Sequence, residues 1–365
     1  MAAPPFLPGL TLNRLFFAEV VQPLLARAYP GLAYSAALIG YGSDVLGFDT
    51  RQSADHNWGP RLQLFLAQGD YAPLAGDLDQ TLSDQLPVSF LGYPVNFSEP
   101  DLSDGGTQVM QAVAAGPVRH MIEIRTVDQY FRRYLGIAPD AALTPLDWLA
   151  LPQQQLLEIT AGEVFHDGLA TLETARARFA WFPRDVWLYR MRAQWARIAQ
   201  EEPFVGRAGQ AGDDPGSRIV AARLVRDLML LAFLHERRYA PYSKWLGTAF
   251  SRLSCAATLT PLFEAALSAP DWQTRQQPLA DAYEVLAATH NALNLTPPVD
   301  PTTRPFFNRP FQVLFAGRFA DALRDVIGDA TLRSLPAIGA VDQFVDSTDL
   351  TDQPALVARL HGVYR

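Results

Sequence analysis

The stretch YSAALIGYGSDVLGFDTRQSADHNWGPRLQLFL, residues 34–66, decides the fold. It begins and ends with apolar runs, at 34–39 and 61–66, that have the length of buried β-strands. Between them, the turn GYGS (40–43) ends the first run, and a polar loop leads to DHN (55–57). A glycine-serine turn followed by two oxygen-bearing side chains is a pattern that suits metal-dependent phosphoryl transfer.

The side chains of this stretch predict two binding elements. Gly42 lets the backbone approach a phosphate without a Cβ in the way, and Ser43, if it opens a helix, adds a hydroxyl to amide donors that favour an anion. Asp55 and Asn57 are two residues apart, so on an extended segment they share one face while His56 points to the other. We therefore predict a phosphate site at the turn and Mg²⁺ ligands at Asp55 and Asn57.

Bulk properties favour a protein that acts on a small molecule. The chain has 365 residues, enough for two domains, with 49% hydrophobic and 19% charged residues. A net charge of −8 disfavours a long nucleic-acid partner, which needs a basic surface. The single cysteine excludes an internal disulfide framework.

The same sequence predicts a cytoplasmic location. No basic residue precedes Arg14, so the N-terminus does not resemble a signal peptide. The longest apolar run, 228–234, is far too short to span a bilayer, so we expect no membrane partner. The oligomeric state stays open.

Hydrophobic periodicity predicts an α+β fold with two domains. Residues 1–140 mix strand and helix patterns, which predicts an α/β domain with a mixed sheet. From residue 141 to 365 the apolar residues recur at three and four, which predicts an all-helical domain. We predict strands at 34–39, 61–66 and 120–126, helices at 11–28, 72–86, 218–234 and 311–327, an extended stretch at 88–97, and loops at 203–217 and 296–310.

One further carboxylate belongs to a predicted strand. In HMIEIRT (120–126), Ile122 and Ile124 alternate with Glu123, which places Glu123 on the open face of a half-buried strand. Without the DHN motif, the default interpretation would be a surface glutamate on an exposed strand face.

Four cationic residues are candidates for binding phosphate, with one aspartate beside them. Lys244 is the only lysine in the chain, and a compact ammonium is not equivalent to a guanidinium at a phosphate. Chance retention of one lysine is the alternative.

In the predicted helix 218–234, Arg223 and Asp227 share a face and Arg226 flanks it, so the arginines could bind a phosphate and Asp227 a substrate. An internal salt bridge is the alternative there. Arg61, close after DHN, is a further candidate for nucleotide binding.

These motifs resemble a known superfamily. The pair Gly42-Ser43 followed by Asp55-x-Asn57 resembles the signature of the nucleotidyltransferases that include DNA polymerase β and the aminoglycoside nucleotidyltransferases. Nearly the whole chain resembles a bacterial family of unknown function described as nucleotidyltransferase-like. Besides the first stretch, the resemblance rests on RRYLG (132–136), LTPLDWLALP (143–152), EEPFVGRAGQ (201–210), ERRYAPYSKWLGTAF (236–250) and VDQFVDST (341–348).

The resemblance implies a Mg²⁺-dependent transfer of a nucleotidyl group, expected to be adenylyl, from ATP or another nucleoside triphosphate to a small-molecule acceptor. It implies that Asp55 and Glu123 are catalytic carboxylates, that Asp55, Asn57 and Glu123 bind metal, and that Glu123 holds a second ion or accepts a proton. This chain departs from both patterns at Asn57, where they carry an acidic residue. An adenylating ligase and a nucleotide-binding pseudoenzyme stay open as alternatives, and Asn57 favours the latter.

Overall fold

The computed structural model describes residues 4–365, which form two compact units. The first unit runs to Ala142 and also includes Gln155–Ala180; the second consists of Leu143–Gln154 and Trp181–Arg365.

A four-stranded mixed sheet organises the first unit. Its order is β5-β2-β1-β6, with β1 antiparallel to both β2 and β6, and β2 parallel to β5. Both β1 and β2 are buried along their whole length, which explains why apolar residues predominate in each of them. The strands are β1 (Tyr34–Leu38), β2 (Arg61–Leu66), β3 (Ser89–Phe90), β4 (Tyr93–Pro94), β5 (Met121–Arg125), β6 (Glu163–Asp167), β7 (Arg304–Pro305) and β8 (Gln312–Val313).

Helices flank this sheet and make up most of the second unit. A π-helical segment, Phe17–Val21, joins the first two helices. The α-helices are α1 (Gly9–Phe16), α2 (Gln22–Ala28), α3 (Gln68–Gln85), α4 (Val127–Leu135), α5 (Pro145–Leu149), α6 (Gln153–Thr160), α7 (Leu172–Arg178), α8 (Arg184–Glu201), α9 (Phe204–Gln210), α10 (Asp214–His235), α11 (Ser243–Phe250), α12 (Ala256–Ser268), α13 (Trp272–Ala292), α14 (Gly317–Val326), α15 (Ala330–Ser334), α16 (Val341–Phe344), α17 (Thr348–Thr351) and α18 (Pro354–Val357).

Each unit has its own apolar core. In the first, Leu12 and Phe16 of α1 are buried in the same cluster as Leu62 and Leu64 of β2. In the second, α8 packs against α10 and α14, and the Trp195 ring lies 4.6 Å from that of Phe319 between ring centroids. Burying a large apolar side chain contributes about 1.5–3 kcal/mol relative to leaving it in water, so these clusters hold the helices in place.

The predicted α+β fold with a mixed sheet is confirmed, and its central strands lie within one residue of their predicted ends. Among residues 4–365, no helix has both the length and the apolar character needed to cross a membrane.

Three local predictions were wrong. Residues 311–316 were predicted to begin a helix, but they contain β8, which pairs with β7, and α14 begins only at Gly317. Residues 163–167 were predicted to be helical but form β6, an edge strand whose Phe165 stacks on Phe17 with 5.7 Å between centroids. Short apolar runs do not distinguish strand from helix by periodicity alone. Residues 203–217 were predicted to be a loop but contain α9 and the first turn of α10. Gly206 and Gly209 are there for packing, because a Cβ on either would overlap the ring of Phe311 or Trp272.

A pair of buried histidines makes the second unit sensitive to acid. Burial, followed by the neighbouring His290, lowers the pKa of His235 to about 3, and burial lowers that of His290 to about 4. Both rings are neutral in the folded chain but take up protons below about pH 6.5 when unfolded. Their stabilising contribution is therefore present above pH 6.5 and is lost as the pH falls towards 4.

We expect the free energy of unfolding to fall by up to about 1.4 kcal/mol per pH unit for each histidine in this range. Urea denaturation at several pH values between 7 and 4.5 measures this slope. His235→Leu should remove about half of it, because the described side chains offer His235 no hydrogen bond that leucine would break. A slope that His235→Leu leaves unchanged would contradict the assignment.

Candidate functional site

The turn after β1 depends on two glycines. Gly40 and Gly42 have φ of 91° and 131°, in the region that favours glycine. A Cβ on Gly40 would overlap the hydroxyls of Tyr130 and Tyr134, and one on Gly42 would overlap the Asp44 carboxylate. The missing Cβ of Gly42, which the sequence suggested would admit a phosphate, here admits the turn's own ion pair.

That ion pair joins Asp44 to Arg61, the first residue of β2. Arg61 Nε lies 3.1 Å from Asp44 Oδ2, and Nη2 donates to Asp44 Oδ1 at 2.7 Å and to the Tyr41 carbonyl at 3.0 Å. The side chains are 3% and 1% exposed for Arg61 and Asp44. Burial opposes the guanidinium charge, but the charge and hydrogen bonds of Asp44 outweigh it and raise the pKa of Arg61. Arg61 thus holds the turn, and its contact with a nucleotide stays a prediction.

Ser43 begins a series of turns, residues 43–47, rather than a helix. Its carbonyl accepts from the N–H of Phe48 at 2.8 Å, and its Oγ lies 3.4 Å from Ser53 Oγ. Gly47, with φ of 66°, ends this short segment. Among residues 4–365, the Ser43 hydroxyl is therefore held by this one long contact, and it lies in the same loop as Asp55.

Asp55 and Asn57 do not lie on an extended segment, so the prediction that they share one face was wrong. Residues 51–57 form bends and turns, and Asn57 has a φ of 48°, which asparagine tolerates better than most residues. Asn57 exchanges two hydrogen bonds with the backbone of Gln108: its N–H donates at 2.7 Å and its Oδ1 accepts at 2.9 Å. Asp55 is 65% exposed, and its Oδ1 lies 2.9 Å from His56 Nδ1.

Glu123 lies on β5 opposite Gln63 of β2, half-buried as the strand pattern predicted. Its Oε1 accepts from Arg133 Nη1 at 3.0 Å and also pairs with Arg125 Nε. The carboxylate is thus neutralised by two arginines of the first unit.

Two tyrosines of α4 complete the surroundings of the turn, and sequence reasoning missed them. The rings of Tyr130 and Tyr134 stack with 4.8 Å between centroids, and Tyr134 Oη accepts from the N–H of Tyr41 at 2.7 Å. Burial raises the pKa of both phenols well above the usual value, so both stay protonated. Their i, i+4 spacing, which overlaps the RRYLG motif, was the available signal.

These residues do not fit a preformed Mg²⁺ site. Within the described part of the chain, no three His, Cys, Asp or Glu side chains converge as metal ligands. The cause is local, because Gln108 holds the Asn57 oxygen and two arginines hold Glu123.

The second unit contains a charged pocket of about 240 Å³. Three residues that the sequence predicted to bind a phosphate or a substrate, Arg223, Arg226 and Asp227, line this pocket together. The pocket is lined by Arg197 of α8, by Arg223, Arg226 and Asp227 of α10, and by residues 342–346. Lys244 is not among these residues; it is exposed on α11, with Nζ 5.2 Å from the centroid of the Trp245 ring.

Asp227 is 1% exposed and its oxygens face other protein groups. Oδ1 accepts from Gln194 Nε2 at 3.0 Å and from Arg197 Nε at 3.2 Å, while Oδ2 lies 3.5 Å from Arg197 Nη2. These contacts favour the salt-bridge alternative for Asp227, with Arg197 as partner rather than Arg223. Arg223 instead binds both oxygens of Glu201, at 2.5 and 3.1 Å.

The fold and these two clusters define a mixed α+β protein with a glycine turn in one unit and an arginine pocket in the other. Residues 148–246 match a family described as "Domain of unknown function (DUF4037)". The chain is also similar to a solved nucleotidyltransferase-like protein from Exiguobacterium sibiricum, with a TM-score of 0.33 and 11% identity over 87% of this chain and 89% of that one. No curated protein matches.

The Asp44–Arg61 pair predicts a large effect of breaking it. Asp44→Asn should lower the free energy of unfolding by about 3–5 kcal/mol, because it leaves the Arg61 charge buried and unpaired. Asp128→Asn, which removes the exposed partner of Arg132, serves as the control and should cost less than about 1 kcal/mol. Urea denaturation of both variants measures the difference, and equal losses would contradict a structural role for the buried pair.

Proposed function

We propose that this protein binds a nucleoside triphosphate, with ATP the first candidate, at the glycine turn, and transfers its nucleotidyl group to a small-molecule acceptor. The observation that carries the proposal is the turn at 40–43. It ends a buried strand of a mixed sheet, and the contact that holds the Ser43 hydroxyl is a long one, 3.4 Å to Ser53 Oγ. It also belongs to the sequence motif that resembles nucleotidyltransferases.

The proposal gives each predicted residue a role. Phosphoryl transfer relies on positioning and on neutralising charge, so Gly42 and Ser43 would contact phosphate oxygens and Arg61 would supply positive charge in the first unit. In the second unit, Lys244, Arg223 and Arg226 are the candidates for binding phosphate. Asp55 and Glu123 would serve as the acidic groups, whereas Asp227, predicted from the sequence to bind a substrate, keeps its salt bridge with Arg197 in this proposal. Mg²⁺ dependence belongs to the proposal as well, and it requires Asp55, Asn57 and Glu123 to leave the partners described above.

A nucleotide-binding pseudoenzyme is the second candidate, and one observation favours it. Asn57 is uncharged, and its side-chain oxygen already accepts a hydrogen bond from the backbone of Gln108. A site built this way could bind nucleotide and still turn over poorly.

Thermal denaturation with each of the four nucleoside triphosphates, with and without Mg²⁺, tests the proposal, together with an assay for pyrophosphate release. We expect ATP to raise Tm and pyrophosphate to be released when an acceptor is present. A rise in Tm without release at any acceptor would support the pseudoenzyme. No stabilisation by any of the four nucleotides would overturn both candidates.

Substitutions at the DHN motif test the metal assignment. Asn57→Asp should raise Mg²⁺-dependent turnover or nucleotide affinity, because it restores a carboxylate where a divalent cation needs negative charge. Aspartate can still accept from the N–H of Gln108. Asp55→Ala should abolish both properties, whereas Asp104→Ala, an exposed control in the first unit, should leave them unchanged. The metal assignment for residue 57 fails if Asn57→Asp alters neither.

Lys244 provides a separate test. If its ammonium binds the β- or γ-phosphate, Lys244→Ala should weaken triphosphate binding by roughly 1.5–3 kcal/mol and leave adenosine binding nearly unchanged. Lys244→Arg keeps the charge but changes its geometry, so it should recover only part of the loss. Calorimetric titration of both ligands decides the question, and equal losses for triphosphate and adenosine would show that Lys244 acts through folding.

A further inference from the structure

The charges around the pocket of the second unit separate into an inner and an outer group. The inner carboxylates each have a partner that is buried or half-buried. Asp227 pairs with Arg197 as described, and Asp342 Oδ2 accepts from Arg190 Nη2 at 2.6 Å, with the Arg190 side chain 1% exposed. Arg197 Nη1 also donates to the Gln343 carbonyl at 2.9 Å. The inner wall is therefore electrically balanced and fixed.

The outer group consists of Arg223 and Arg226, which lie three residues apart on α10 and so have Cβ atoms roughly 5–6 Å apart. Their partners differ. Glu201 is 18% exposed and binds Arg223 through both oxygens. Asp346 is 78% exposed and contacts Arg226 through one nitrogen and one oxygen, 2.9 Å apart.

This difference makes Arg226 the position at which a ligand can replace a protein carboxylate. An exposed ion pair with a single contact contributes little net free energy, because solvent screens it and the side chains lose freedom. A phosphate presents several oxygens and can be bound by two guanidiniums together, whereas a carboxylate is satisfied by one. The pocket volume of about 240 Å³ leaves room for a phosphate and a small group attached to it.

We propose that this pocket binds the phosphate group of a small molecule through Arg226 and Arg223, and that Asp346 occupies Arg226 as an internal competitor when no ligand is bound. The inference rests on the part of the proposed function that gives these two arginines a phosphate, and it adds a regulatory carboxylate. Binding then releases the segment around Asp346 from α10, which couples occupancy of the pocket to the position of residues 345–347.

The test titrates inorganic pyrophosphate into the full chain by calorimetry, without divalent cations and at constant ionic strength. Asp346→Asn should tighten binding about fivefold, because it removes the competitor and leaves both arginines in place. Asp349→Asn makes the same change in net charge at an exposed residue outside the pocket and should leave Kd unchanged. Arg226→Gln should weaken binding at least tenfold, and Arg218→Gln, on the same helix but outside the pocket, should not.

Three results would overturn the inference. Equal affinities for Asp346→Asn and Asp349→Asn would show that Asp346 does not compete. Unchanged binding in Arg226→Gln would place pyrophosphate elsewhere, and acetate binding as tightly as pyrophosphate would remove the preference for phosphate. A turnover assay distinguishes a failure of this inference from a failure of the proposed function. Asp55→Ala should abolish turnover, whereas Asp346→Asn should still tighten pyrophosphate binding when it is combined with Asp55→Ala.

Discussion

The buried ion pair between Asp44 and Arg61 is the constraint on which the first unit's candidate site depends. Arg61 also donates its backbone N–H to Asn13 Oδ1 at 2.6 Å, and Asn13 Nδ2 donates to the Gly9 carbonyl at 2.9 Å. One network therefore links the turn, the start of β2 and the first turn of α1. Since neither charge can be removed without leaving the other buried, and Arg61 also binds the Tyr41 carbonyl, the pair holds the backbone of the glycine turn in place. Any ligand must fit that position.

The remaining candidate groups differ in how easily they could change partners. Asn57 and Asp227 each join two segments of the chain, through Gln108 and Arg197, and releasing Asp227 would leave a buried carboxylate without its partner. Asp55 and Asp346 are largely exposed, so water compensates each of them when its partner leaves. Whether a charged or polar group can bind a ligand or instead maintains the fold therefore depends mainly on how exposed its ion pair or hydrogen bond is. The residue type of the group matters less.

Sequence reasoning succeeded where local rules decide the structure. The strands β1 and β2 are buried on both faces, so their apolar runs had clear ends, whereas β6 is an edge strand whose residues EVFHD alternate too weakly to be recognised. The sequence predicted that position 42 needs glycine because another group approaches its backbone closely. It did not predict that this group is the Asp44 carboxylate rather than a phosphate. Asp44 could not be selected, because its partner Arg61 lies 17 residues further along the chain, at the start of the neighbouring strand. The predicted common face of Asp55 and Asn57 required an extended backbone, which the φ of 48° at Asn57 excludes.

The arginine pocket shows the same division between local and distant information. Helical spacing placed Arg223, Arg226 and Asp227 together because that spacing is fixed within α10. Their partners come from elsewhere: Arg197 and Glu201 lie on α8, and Asp346 lies 120 residues along the chain from Arg226. A helix face can therefore be predicted from a sequence, but whether its charges are available depends on which distant carboxylates reach them. Here Glu201 is mostly buried and Asp346 is not, so of two arginines one turn apart, Arg226 is the one whose partner a ligand can displace.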